Sequence, residues 1–477
     1  MLNKVQTVGG NYCTFKQFVF SFESAIQFEM EESSKVCGSL KEVIIREGFK
    51  GSEPYFKYCE IIRQQEGYMG DLLFITIQDK HTDETLDLMV KTANTEETAR
   101  RNFSIDLMYC NEAIFYKIIW TNYLKFQEIA HCPGFFDKIS KFYVADLEEG
   151  KEKLFFENLK SKNFKTINKH VVFNKEHFEL IFTEYGKFHG LSMAFKSKFP
   201  YSFREMAKDL INYWSGLENM KMWQTCLSIR LQDCGIYLSQ EPNKDMIQQF
   251  EKYIDYGWRG FSKSTEYDGK NAVITHGECW PSNFMFKYNE NKKPVDIRFI
   301  DFHRSRVGTP VFDLSYCFYA GGSSEIFEEL DYYLDIYHKS LSNTLMKMNC
   351  DPEKLYSKET LKKEWKMYCK FGFVMGLLGL RDHTVREEYP MDISELLTQV
   401  EHMRISDTNE RYSAEEVEAK SVELIKHMLG TLLSVHLVMM NLIRSVFKDI
   451  RHKKQSEQPS FIIQTAFQIK RSICKYL

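Results

Sequence analysis

Residues 297–303 read IRFIDFH, an almost unbroken apolar run that stops on Asp301. A carboxylate there is costly to bury unless a cation or a metal meets it. Upstream, residues 276–286 read HGECWPSNFMF and carry His276, Glu278 and Asn283. The polar turn NENKK separates NFMFKY from VDIRFIDF, so the two segments predict a β-hairpin. Such a hairpin brings Asn283, just before its first strand, and Asp301, at the end of its second, to one mouth.

The chain around this hairpin has 477 residues, enough for two domains or lobes. Its 43% apolar and 27% charged content is that of a globular protein, and only 10 prolines argue against a linker-rich chain. A net charge of -3 gives no electrostatic case for nucleic-acid binding. The 12 cysteines form no CxxC pair and read as reduced, buried thiols of a cytoplasmic protein. No Cys/His cluster suggests structural zinc, and the N-terminus does not read as a signal peptide. The apolar segment Met428–Ile443 is shorter than the ~20 residues a bilayer needs. It also contains His436 and Asn441, so a buried helix is expected and no membrane span.

Periodicity divides the chain into a helical lead-in (1–50), a strand-rich N-lobe (51–159), a larger C-lobe (160–455) and a C-terminal tail (456–477). In the N-lobe, DLLFITIQD and TLDLMVKTA predict one hairpin, and KISKFYVAD and KEKLFFENL a second strand pair. Between the pairs, residues 102–126 predict one helix, with Ile105, Met108, Glu112, Phe115 and Ile119 on a single face. Beyond residue 173 the pattern is helical, including MAKDLINYWSGL (206–217), and is interrupted by the 284–302 hairpin. The fold class is therefore α+β and bilobal, with a cleft at the join near residue 160 where a ligand would bind.

The chemistry this order suits is phosphoryl transfer. It needs a metal site, a cation for the phosphates, a loop over them and a carboxylate to orient the attacking hydroxyl. Glu278 lies five positions before Asn283, the spacing of the kinase catalytic loop H-R-D-x-x-x-x-N. Asn283 and Asp301 are then the Mg²⁺ ligands, and His276 is a structural histidine behind them. Lys91, in an apolar strand, needs a partner, and Glu112 in the apolar stripe is the natural one. Gly67 and Gly70 precede the first hairpin strand, where a turn would cover the phosphates.

Taken together, HGECWPSNFMF, IDFH and GTPVFDLSYCFY resemble the CHK kinase-like, or ecdysteroid kinase-like, family. That family belongs to the aminoglycoside phosphotransferase and choline kinase branch of the protein-kinase-like fold. The resemblance extends from the glycine turn to the helices past residue 380. It implies ATP and Mg²⁺ as cofactors and a small-molecule hydroxyl, such as one on an ecdysteroid, as acceptor. It places Glu278 on the catalytic carboxylate, Asn283 and Asp301 on the metal, and Lys91 and Glu112 on the ion pair. It places Glu157 and Leu159 of FFENL on the adenine-binding hinge, and Asp313 on the residue that brace the catalytic loop. The acceptor pocket would include segments between 371 and 404. Four positions depart from the family pattern. Glu278 replaces the usual Asp, His303 the usual Gln, and Asn158 the central Asp of the hinge; the glycine turn also lacks its usual Gly-(Asp/Glu)-Asn. The glutamate motivates a rival reading, a catalytically weak or inactive ligand- or partner-binding protein. A protein kinase is disfavoured, because GTPVFDL follows Asp301 too closely to leave an activation segment.

Overall fold

The computed structural model describes residues 56–66, 69–79, 84–167, 172–214, 221–238, 265–267, 269–384 and 419–428, with Val43 and a few residues between 244 and 261. Its first layer is an antiparallel sheet of β1 (Phe56–Glu66), β2 (Gly70–Asp79), β3 (Thr85–Ala93), β4 (Phe142–Asp146) and β5 (Lys153–Glu157). The strand order is β1-β2-β3-β5-β4. The β2–β3 and β4–β5 pairs are the two anticipated from sequence, whereas β1 occupies a segment that was assigned no element. Side chains alternate as a pleat requires. Leu86, Leu88 and Val90 join Ile75, Ile77 and Phe155 in a small core on one face. Leu154, Phe156 and Ala93 belong to the main core on the other. Lys91 is on that second face, toward the helices.

The single helix expected over 102–126 is broken twice. Helix α1 (Glu97–Phe103) ends at Ser104, whose φ of +52° is left-handed. Helix α2 (Ile105–Ile114) then runs into a π-helical turn, Phe115–Trp120, before α3 (Thr121–Ile129). The anticipated stripe is nevertheless buried throughout, from Ile105 to Ile119.

A short connection leads into the larger, helical part. There β6 (Lys165–Thr166) pairs with β8 (Phe284–Tyr288), which pairs with β9 (Pro294–Phe299) to give the predicted hairpin. A second small pair joins β7 (Val273–Ile274) to β10 (Val307–Gly308). The helices are α4 (Lys175–Lys198), α5 (Pro200–Ala207), α6 (Lys221–Leu238), α7 (Pro310–Gly321), α8 (Ser324–Glu328), α9 (Leu330–Lys347), α10 (Pro352–Tyr356) and α11 (Lys358–Thr384). The Asn174 side chain caps α4 by accepting from the His177 N–H. Gly186 and Gly190 lie one turn apart on α4. A Cβ at either would meet Ser340, Tyr337 or Thr344 of α9 at under 3.0 Å, so the close α4–α9 approach requires glycine.

Of MAKDLINYWSGL, residues 208–214 do not continue the helix expected of them. Helix α5 stops at Ala207, and the Ile211 N–H donates to the Asn111 side chain of α2. Helix α6 falls within the stretch beyond residue 173 that the pattern marks as helical. Among the described residues no helix is long and apolar enough to cross a membrane. Of the Met428–Ile443 segment only Met428 is described; the lead-in apart from Val43, the tail and Gly67 also lie outside the described residues.

Candidate active site

The site is built where β3, α2 and the end of β9 converge. Lys91 Nζ donates to Glu112 Oε2 at 2.8 Å and to Asp301 Oδ1. Burial opposes the charge on Lys91, but the Asp301 and Glu112 carboxylates outweigh it and hold the ammonium well above its usual range. Burial pushes Glu112 up to about 7 against the pull of Lys91. Asp301 lies below the ordinary range: burial resists ionisation, and Lys91 overrides it. Its side chain keeps 29% exposure while those of Lys91 and Glu112 keep 9% and 2%. Of these three groups, Asp301 is therefore the one that meets solvent.

Asp301 has φ +67°, a left-handed backbone that non-glycine residues adopt at a cost. This turns the chain off β9 and exposes the carboxylate. The next residue anchors the turn: Phe302 stacks on Phe115 of the π-helical turn, centroids 3.8 Å apart and planes within 7°. Asn111, beside Glu112, donates to the His303 and Ser305 carbonyls at 2.9 and 2.8 Å. The Ile300 N–H donates to the Asn283 carbonyl at 3.2 Å, so the hairpin sets Asn283 beside Asp301 in the backbone. The Asn283 amide nitrogen is engaged by the Glu278 carbonyl at 3.0 Å, leaving Oδ1 as the atom to face a cation. A carboxylate and an amide oxygen are hard donors that suit Mg²⁺.

Glu278 is only 4% exposed. Its Oε2 lies 2.6 Å from Arg304 Nη1, and its Oε1 accepts from the Tyr316 hydroxyl at 3.0 Å. Burial pushes this carboxyl above its usual range; Arg304 and the Tyr316 hydrogen bond pull the other way, and Asp301 adds to the rise. Arg304 is itself 1% exposed and lies over the Tyr213 and Trp214 rings. Neither Arg304 nor Tyr316 was singled out from sequence. In HRSR an arginine reads as solvated, and its burial depends on Tyr213 and Trp214 far away in the chain.

His276 and Asp313 lie behind this loop. The His276 ring bridges the Tyr185 hydroxyl (2.9 Å, at Nδ1) and the Ile300 carbonyl (2.7 Å, at Nε2). Burial keeps it neutral, so Nε2 donates and Nδ1 accepts. Asp313 accepts from the backbone N–H groups of His276 (2.6 Å) and Gly277 (2.9 Å), and its Oδ2 meets His189 Nε2 at 3.0 Å. His189, within α4, also escaped the sequence reading. Burial works against ionisation of Asp313, but the His189 bond, the nearby imidazoles and the Gly277 N–H hold it below the usual range. A depressed carboxylate contributes stability in full above its unfolded value near 4, and loses it as pH falls through the lower folded value. Asp313→Asn is therefore expected to be clearly less stable than the parent at neutral pH, with the gap closing on acidification below about pH 4. Urea midpoints across that range measure it; a gap independent of pH would reject the assignment.

The remaining predicted residues lie on β2, on β5 and just after it. Gly70 has φ +143°, and a Cβ there would meet the Thr92 carbonyl at 1.9 Å, so the start of β2 presses against the end of β3 just beyond Lys91. Glu157 closes β5; its carboxylate accepts from the Lys141 N–H at 2.6 Å and pairs with Lys162. Leu159 is buried with Phe164 and Met285, which binds the connection between the two parts to the hairpin. The structure thus brings together Lys91, Glu112 and Asp301, joins Glu278 to Asn283, and places Asp313 and His276 beneath them.

The sequence profile of the ecdysteroid kinase-like family matches residues 64–350. The chain belongs to the ecdysteroid kinase-like family. The match takes in every one of these residues, and it ends before α11, short of the extent inferred from motifs alone. No curated protein matches the chain. A solved kinase domain is similar at 11% identity, with 78% of this chain and 95% of that chain covered and a TM-score of 0.21. So low a score carries no weight for the site. As an ecdysteroid kinase-like chain, this is a kinase-like protein with a small strand-rich part followed by a larger helical one.

Proposed function

We propose that this protein transfers a phosphoryl group from ATP to a hydroxyl of a small acceptor with the help of Mg²⁺. The family points to ecdysteroids or related hydroxylated lipophilic compounds as that acceptor. The observation that carries this reading is Lys91, held between Glu112 and Asp301, with Asn283 set beside Asp301 by the bond from the Ile300 N–H to the Asn283 carbonyl. Bound ATP and its metal would supply the transferable group and neutralise phosphate charge.

Each residue then has one task. Glu112 holds the Lys91 ammonium ready for phosphate oxygens. Asn283 and Asp301 hold the metal. Glu278 takes the proton of the acceptor hydroxyl, a role that suits a carboxyl raised by burial. Backbone groups at Glu157 and Leu159 receive adenine, and the turn with Gly67 and Gly70 covers the phosphates. His276 and Asp313 keep the loop in place. The acceptor would lie near Trp280 and α11, where Trp280 packs so tightly that Gly379 has no room for a Cβ.

A second reading has one specific observation behind it. The Glu278 carboxylate already holds a buried guanidinium at 2.6 Å, as would suit a protein that binds a ligand and transfers slowly or not at all. Purified chain incubated with ATP, Mg²⁺ and a panel of hydroxysteroids separates the two. Acceptor-dependent ADP release with a phosphorylated product supports the kinase. Saturable acceptor binding without product supports the binder.

A further inference from the structure

His303 has no task in the scheme above, and its surroundings are unusual. The residue is 5% exposed, yet neither ring nitrogen has a hydrogen-bond partner. The Glu278 carboxylate is 3.9 Å from Nε2, beyond hydrogen-bond reach. A buried imidazole with both nitrogens unsatisfied costs free energy unless something else meets it. The ring is aimed at the cation site: one donor atom each from His303, Asp301 and Glu112 lie within 4.8 Å of one another. Two donors at about 2.1 Å from a shared ion stand at most about 4.2 Å apart, so a small side-chain rotation brings Asp301 and His303 onto one ion. The backbone of this turn is held by Asn111 through the His303 carbonyl, so the ring starts from a fixed position beside Asp301.

We propose that His303 gives a nitrogen ligand to the divalent cation held by Asp301, so that this site takes a first-row transition ion such as Mn²⁺ or Co²⁺ better than Mg²⁺. It rests on the reading of Asp301 as a metal ligand. Mg²⁺ takes oxygen donors in near-ideal octahedral geometry, whereas imidazole shifts preference toward transition ions. Glu112 serves Lys91 and stays outside the coordination sphere. Such a preference makes the choice of metal a property of this chain rather than of a site built from Asn283 and Asp301 alone.

The test is spectroscopic and needs no turnover. Full-length protein carrying ¹⁵N-histidine is loaded with Mn²⁺, with and without ADP, and pulsed electron paramagnetic resonance reads nitrogen coupled directly to the metal. A histidine ¹⁵N coupling is expected in the parent and absent in His303→Gln. That variant is expected to bind Mn²⁺ about tenfold or more weakly while Mg²⁺ affinity changes little. Its near-ultraviolet circular dichroism shows that it folds. No histidine coupling in the parent, or the same coupling in His303→Gln, overturns the proposal. Coupling without phosphoryl transfer would reject the kinase reading and leave this one standing; transfer without coupling would do the reverse.

Discussion

Arg304→Met is expected to destabilise the protein by about 3–5 kcal/mol, the typical loss when one partner of a buried ion pair is removed. The reason is what it leaves behind. Glu278 is 4% exposed, and without Arg304 it keeps only the Tyr316 hydroxyl of its two charge-stabilising contacts. Methionine retains bulk over the Tyr213 and Trp214 rings, so the loss is electrostatic more than steric. Adding Glu278→Gln removes the stranded charge, and most of the stability should return. Urea denaturation of the parent, both single variants and the double variant completes a mutant cycle. If the two single losses simply add, the pair is not what holds this loop.

The second large effect concerns the same carboxylate in catalysis. Glu278→Gln keeps the shape and removes the proposed base, and phosphoryl transfer should fall about 10²–10⁴-fold. Glu278→Asp restores the residue usual in the ecdysteroid kinase-like family, yet it is expected to impair this protein. Arg304 and Tyr316 both meet the longer side chain, at 2.6 and 3.0 Å. Shortening it by one methylene draws the carboxylate back from them by about 1 Å, a misplacement worth ~10²-fold. Steady-state rates with a saturating acceptor measure both. Faster turnover in Glu278→Asp would show that the surroundings are not fitted to glutamate.

The sequence carried the parts of this site that have a local signature. Alternation marked β2, β3, β8 and β9, and an acid ending an apolar strand marked Asp301. Lys91 and Glu112 were legible because each was a charge in an apolar pattern, and the structure pairs them at 2.8 Å. What stayed hidden depends on distant chain. Tertiary hydrogen bonding to Asn111 diverts residue 211 from the helix that its own apolar spacing predicts. The π-helical turn at Phe115–Trp120 leaves no trace in a 3.6-residue period. Arg304 is buried by residues about ninety positions earlier, and the imidazoles around Asp313 come from α4 and from the loop itself.

Many kinase-fold proteins are switched by sliding the helix that carries the ion-pair glutamate away from the cleft. Here Asn111 stitches that helix to the chain after Asp301 through two carbonyls, and receives the Ile211 N–H as a third bond. At about 1 kcal/mol each, these bonds together oppose displacement of the helix by about 3 kcal/mol. The Lys91–Glu112 pair therefore behaves as a fixed part of the frame. If the site acts as proposed, the lysine is set for phosphate oxygens before any ligand arrives, and an effector that displaced the helix would first have to break all three Asn111 bonds.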